Sequence, residues 1–202
     1  TFGGALFAAF PNVYATVFSA FYTAFMLLLC ALIFRAVSME FRSKQPHPAW
    51  RSLWDWAFFL SSFTASLLFG VAVGNVMQGI AIDAAGNYTG TFFDFLNPFS
   101  LLTGLLVVAL FAFHGGLYLT LKTGGPLHDR ILRASWIAYF CLLALYLAVS
   151  AYAVAAVPSA TVNFRFFPAA WIMPILHFAA MLAIPLLMRA GRTGLAFLAN
   201  GF

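Results

Sequence analysis

Charge is what this chain has least of. Asp, Glu, Lys and Arg together make up 7% of its 202 residues, and only five residues are acidic, against roughly 25% charged residues in an ordinary soluble domain. That scarcity excludes a solvated globular domain. The net charge of +5 has no basic surface domain to serve, so nucleic acid is not an expected partner. Cysteine is nearly as scarce. Cys30 and Cys141 each lie inside an apolar run, which excludes a disulfide framework or a redox motif and leaves two small side chains facing core or lipid. A basic leader with a short apolar core and a small-residue cleavage site is missing, so no signal peptide is expected. No glycine-rich phosphate loop, paired carboxylates or Ser/His/Asp set can be assembled. The stretch "GNVMQG", Gly74 to Gly79, is not a nucleotide signature; its Asn75 and Gln78 read as hydrogen-bonding groups at a helix end.

What is present is apolar: 64% of residues, with a mean hydropathy of +0.97. A hydrocarbon core of ~30 Å needs ~20 apolar residues as helix, and five segments qualify: 5–34, 54–82, 98–121, 134–157 and 168–188. The expected fold is all-α, a polytopic transmembrane helix bundle of about five spans forming one membrane domain over 1–202. Pro11 predicts that "TFGGALFAAF" is a kinked or interfacial lead-in, and Pro174 and Pro185 predict bends in the last segment. Neither Thr1 nor the closing "RTGLAFLANGF" reads as a natural terminus, so an internal fragment is expected.

Arg35, Arg42, Lys44, Arg51, Lys122, Arg130, Arg133, Arg189 and Arg192 fall in alternate connections, while the intervening ones hold only Arg165. By the positive-inside rule the basic connections are cytoplasmic and the chain begins on the opposite side.

Helix packing and protonatable groups supply the candidate sites. Ser62, Ser66, Gly70 and Gly74 stand four apart, a stripe of small residues suited to close helix approach. His114 and His177 lie within predicted spans, but each lacks a second ligand at metal spacing, so hydrogen-bonded packing is the simpler reading. His47 and His128 read as solvated loop residues. The charge is concentrated in "SMEFRSKQPHPAWRSLWDW", residues 38–56. Glu40 and Lys44 would pair on a continuing helix. Ser52 and Asp55 have capping-box spacing at a helix start, with Trp50, Trp54 and Trp56 as interfacial anchors. The alternative reading of the same stretch is a proton entrance.

The runs "GGALFAAFPNVYATVFSAFY", "LIFRAVSMEFRSK", "WRSLWDWAFF", "GVAVGNVMQG", "YTGTFFDFLNPFSLLTG" and "HGGLYLTLKTGGPLHDR", in this order from residue 3 to about 133, resemble subunit II of the cytochrome bd quinol oxidases. The resemblance implies a bacterial inner-membrane terminal oxidase that oxidises quinol and reduces oxygen to water. It places two b-type haems and haem d in subunit I, with none bound directly here. Subunit II would be the partner that packs against and shields that core, with membrane lipid around it and room for small accessory subunits. It also marks Glu40 and Lys44 of "EFRSK" as members of a proton route from the cytoplasm; from the residues themselves, the Ser43 hydroxyl suits support of a water chain and Asp55 is a further candidate. Glu40 stands where the family often has Asp. The family's "W-D-G-N" acid and first helix precede Thr1, and its last helices are missing. The reading from another class is a multipass small-solute or proton-coupled transporter, with Pro-broken helices and intramembrane histidines lining a midplane site.

Overall fold

The computed structural model describes residues 2–84, 88–157 and 167–201. The architecture is all-α and polytopic. Among the described residues there is no β-strand, only an isolated bridge between Ile82 and Tyr88. The helices are α1 (Phe2–Ala9), α2 (Pro11–Ala20), α3 (Tyr22–Arg42), α4 (Pro48–Gln78), α5 (Pro98–Lys122), α6 (Gly125–Ala156), α7 (Ile172–Arg189) and α8 (Thr193–Asn200). Short 3-10 turns at Phe92–Phe95 and Pro168–Trp171 precede α5 and α7. Five helical stretches, Tyr22–Arg42, Pro48–Gln78, Pro98–Lys122, Gly125–Ala156 and Ala169–Arg189, are long and apolar enough to cross a membrane.

The long apolar run at the start is cut twice. Pro11 opens α2 as a first-turn proline, where its missing N–H costs nothing. A second break at Phe21 separates α2 from α3 without a proline or glycine to announce it. Phe21 is 2% exposed and stacks on Phe95 with ring centroids 4.6 Å apart, so burial of its ring accompanies the break. At the other end, α4 begins at Pro48, with His47 as its extended N-cap residue, six residues before the apolar segment predicted from hydropathy. Its 31 residues make a rod of about 46 Å.

The chain groups into two compact units, 1–104 and 105–202. In the first, Ala20, Phe21, Val71 and Phe95 form a buried core flanked by Leu67 and Leu101. A network of amides and hydroxyls sits beside it. Asn75, 3% exposed, donates from Nδ2 to the carbonyls of Val71 and Phe95, both at 2.8 Å, and accepts from Asn97 Nδ2 at 2.9 Å. Asn97 Oδ1 in turn takes the Ser100 N–H at 2.9 Å, satisfying an orphan donor in the first turn of α5. The same Asn97 therefore starts α5 and ties it to α4. Nearby, Asp94 accepts the Thr91 N–H at 2.6 Å and the Thr91 hydroxyl at 3.1 Å. Tyr88 donates its hydroxyl to the Thr91 carbonyl at 2.7 Å. Burial and then the Asp94 carboxylate push the Tyr88 phenol up from its ordinary value, which keeps it a neutral donor.

In the second unit Phe113, Leu117, Tyr139, Leu142, Met181 and Ile184 form the core. Pro185 lies inside α7, so the Met181 carbonyl has no N–H four residues on to receive. The Tyr139 hydroxyl supplies the missing donor at 3.0 Å. Tyr139 is 2% exposed and Met181 4%, so no water replaces that bond easily. Replacing Tyr139 by Phe is expected to lower stability by about 1–2 kcal/mol, read as a lowered unfolding midpoint in detergent. An unchanged midpoint would mean that the proline-freed carbonyl needs no partner.

Candidate functional site

α3 and α4 run antiparallel around the short connection 43–47, so their charged ends meet. Two separate ion pairs form there. Lys44 Nζ lies 2.8 Å from Glu40 Oε1, both side chains well exposed. Arg42 forks onto Asp55, with Nε 2.5 Å from Oδ1 and Nη2 3.2 Å from Oδ2. Glu40 and Arg42 are two residues apart and so point from different sides of α3. The helix thus divides its acid pairings: Glu40 toward the outgoing chain, Arg42 toward α4.

Helix ends account for the polar groups between them. Ser43, the C-cap residue of α3, donates its hydroxyl to the Glu40 backbone carbonyl at 3.0 Å. The Trp50 indole N–H donates to the Phe41 carbonyl at 2.8 Å, satisfying an end-of-helix acceptor from outside the helix. Trp54 packs its ring 5.3 Å from Phe41 and 5.6 Å from Trp50. Trp56 is 61% exposed and stands edge-on to Phe59.

The capping-box expectation for Ser52 and Asp55 does not hold. Because Pro48 starts α4, Asp55 lies two turns inside the helix, and Arg42 of α3 claims its carboxylate. Asp55 borders two clefts. One, of about 240 Å³, is lined by Ser52, Asp55, Trp56 and Phe59. The other, of about 210 Å³, lies between the helices and is lined by Ser38, Met39, Arg42, Trp54, Asp55 and Phe58. Arg35 places its guanidinium 5.7 Å from the Phe58 ring centroid. The expected proton candidates thus share one corner, but as the Glu40–Lys44 pair with Ser43 on one side and Asp55 with Arg42 on the other; no hydrogen bond joins the two pairs among the described residues.

The small-residue stripe of α4 divides too. Gly70 and Gly74 lie against α5, where a Cβ on Gly70 would stand 2.6 Å from Gly104 Cα and one on Gly74 2.7 Å from Ser100 Cα. Ser66 instead bonds the Ser62 carbonyl of its own helix at 2.9 Å, and the buried Ser62 hydroxyl has no partner among the described residues. The sequence reading missed a second close approach, Gly116 of α5 against Ser135 of α6, because one glycine carries no stripe.

His114 Nδ1 accepts from Asn200 Nδ2 at 3.0 Å, and its ring packs on Phe197, ring centroids 4.2 Å apart. His177 lies 5.1 Å from the Tyr146 ring. His47 is exposed at the start of α4. His128, expected in a solvated loop, is half-buried in the first turn of α6 and contacts the Thr120 carbonyl at 3.1 Å; the helix begins earlier than hydropathy indicates because Gly124 and Pro126 open it. Cys30 and Cys141 are both exposed free thiols. Among the described residues no group of three or more His, Cys, Asp or Glu is placed to hold a metal ion. Arg165 lies outside the described residues.

Comparison with known proteins places these features in a lineage. A family model described as cytochrome bd terminal oxidase subunit II matches residues 1–202. A relative from Haemophilus influenzae named probable cytochrome oxidase subunit 2 is 39% identical, over 98% of this chain and 60% of its own length. The cytochrome bd-I ubiquinol oxidase subunit 2 of Escherichia coli K12 is 43% identical over 72% of this chain and 40% of its own. A cytochrome bd ubiquinol oxidase subunit 2 from Bacillus subtilis is 41% identical over 64% and 38%. The chain therefore spans about two fifths to three fifths of the length of these relatives.

Proposed function

Because the chain belongs to the cytochrome bd terminal oxidase subunit II family, we propose that it serves as the second subunit of a quinol oxidase in a bacterial inner membrane, packed against a haem-bearing subunit I and admitting protons at the α3–α4 corner. Its basic connections face the cytoplasm in this reading, and its first residues the periplasm. Haem chemistry, the transfer of quinol electrons to oxygen, resides in the partner. The engagement of His114 by Asn200 and Phe197 supports that division, since a ring so held serves packing.

The observation that carries the proton reading is the Glu40–Lys44 pair. Glu40 is a carboxylate open to water with an ammonium 2.8 Å away, so it can exchange protons with bulk solvent while remaining anchored. Asp55 is a poorer first acceptor, because both its oxygens are engaged by the Arg42 fork; it joins the two helix ends and holds the corner in shape. Ser43 is held by the α3 terminus and orients water through the two lone pairs of its oxygen.

The test uses membranes in which the full-length form of this chain is the sole source of subunit II. Haem d absorbance and quinol-dependent oxygen uptake are expected to return with it. Glu40→Gln is expected to keep the haem spectrum and lower turnover about tenfold, below the usual range for a positioned proton carrier because bulk water offers other routes, and Glu40→Asp to restore most of it. Unchanged turnover in the Gln variant would remove Glu40 from the route. Haem signals indifferent to the whole chain would overturn the oxidase reading.

A further inference from the structure

The groove between α3 and α4 is unbalanced in its hydrogen bonding. Ser38, Met39 and Arg42 lie three, four and seven residues after Arg35 and so share one face of α3 with it. On that face, Ser38, Met39 and Arg42 line the groove with Trp54, Asp55 and Phe58 of α4. Its volume of about 210 Å³ is several times the ~30 Å³ share of one water molecule. Ser38 spends its hydroxyl on the Phe34 carbonyl. Asp55 is neutralised by Nε and Nη2 of Arg42. Beyond the lone pairs that Asp55 and Ser38 retain, what is left over is donor. The Trp54 indole N–H is buried with no acceptor among the described residues. The remaining Arg42 nitrogen has no partner there either. Arg35, resting on the Phe58 ring, has no carboxylate partner among them.

A buried donor without an acceptor is costly, and two guanidinium groups against one carboxylate leave a positive charge. The missing ligand must bring acceptor oxygens and a negative charge, and it must tolerate apolar walls. Met39 on this face and Phe34 beside it are 63% and 52% exposed, at the charged end of two helices long and apolar enough to cross a membrane. A phosphate with acyl chains attached meets all three requirements. We propose that this groove binds the headgroup phosphate of an anionic phospholipid, with the Trp54 N–H and the Arg42 and Arg35 guanidinium groups on its oxygens and its chains along Met39, Phe34 and Phe58. The bound lipid then fills the seam between α3 and α4 beside the Arg42–Asp55 fork.

The experiment uses the full-length chain purified in detergent with whatever subunits accompany it, stripped of lipid. Its unfolding midpoint and its mass under native conditions are followed as phosphatidylglycerol, phosphatidylcholine or inorganic phosphate is added. Phosphatidylglycerol is expected to raise the midpoint, since a ligand of the folded state stabilises it, and to remain bound in the mass spectrum; the other two are not. Trp54→Phe, which keeps a ring and removes the N–H, and Arg35→Gln, at an exposed position, are each expected to weaken phosphatidylglycerol binding about tenfold. Their lipid-free midpoints should match the parent. An equal response to phosphatidylcholine would overturn the charge argument. Inorganic phosphate binding as tightly as the lipid would overturn the lipid assignment, and parental affinity in both variants would overturn the site.

Discussion

Gly70→Val is expected to break the packing of α4 on the first turns of α5 and to cost about 3 kcal/mol or more. The reason is geometric. A Cβ built on Gly70 stands 2.6 Å from Gly104 Cα and 2.7 Å from the Thr103 carbonyl oxygen, and both are backbone atoms. No rotamer change relieves such a contact; the helices must separate. Overpacking a core with side chains that can adjust costs about 1–3 kcal/mol, and here the obstacle cannot adjust. Separation would also open the contacts of Gly104 with Leu67 and Val71 and expose the Val71 core. Close approach of this kind is how membrane helices gain packing energy where lipid is as apolar as the side chains. Gly116→Ala is the control. Its Cβ would meet only the Ser135 hydroxyl closely, at 2.5 Å, and that oxygen can rotate away at the expense of its bond to the Ile131 carbonyl, about 1 kcal/mol. Thermal unfolding of the two variants in one detergent separates them; equal losses would mean that the backbone contact is not the limiting one.

Asn75→Asp is the second large effect, expected to be worse than Asn75→Leu although it changes fewer atoms. The Asn75 amide nitrogen faces two carbonyl oxygens, those of Val71 and Phe95, in a site 3% exposed. Leucine removes three hydrogen bonds, but Phe95 keeps the Ser100 hydroxyl and Asn97 keeps a longer bond to the Asp94 carbonyl, so the loss is about 2–3 kcal/mol. An aspartate keeps the Asn97 donor and points an anionic oxygen at both carbonyls, a buried charge facing like partial charges, for about 4 kcal/mol or more. Asn75→Gln should not rescue, because the extra methylene displaces the amide from partners fixed on the backbone. Unfolding midpoints read the order; leucine below aspartate would refute the electrostatic account.

These two sites mark the limits of what local pattern conveys. Hydropathy counted five spans, though the first, expected over 5–34, is Tyr22–Arg42, whereas Pro98–Lys122 matches the predicted 98–121 almost residue for residue, because its flanks are polar and its interior has no charge. It placed the start of α4 six residues late, because charged and aromatic residues in the first two turns lower hydropathy while His47 and Pro48 still open a helix. Glu40 and Lys44 could be paired from sequence since four residues on a helix bring them together. Arg42 and Asp55 could not. They are thirteen residues apart, and their meeting depends on how tightly 43–47 turns. The same limit applies to Asn75. Its amide was legible as a group at a helix end, but Asn97, its partner twenty-two residues later, required the fold. Gly70 was legible as a packing residue, whereas the backbone it meets was not.

The length of α4 has its own consequence for the charged corner. A rod of about 46 Å exceeds a hydrocarbon core of ~30 Å, so it must tilt, protrude or thicken the bilayer locally. With the excess shared between its two ends, the polar boundary crosses the helix about 8 Å from Pro48. Asp55, seven residues along, stands about 10 Å from that start, at the waterline itself. Trp50, Trp54 and Trp56 occupy the same few turns, and tryptophan is enriched at membrane–water interfaces. Acyl chains a few carbons longer would draw the Arg42–Asp55 fork under the surface, and shorter ones would lift it clear, making bilayer thickness a control on how readily water reaches this corner.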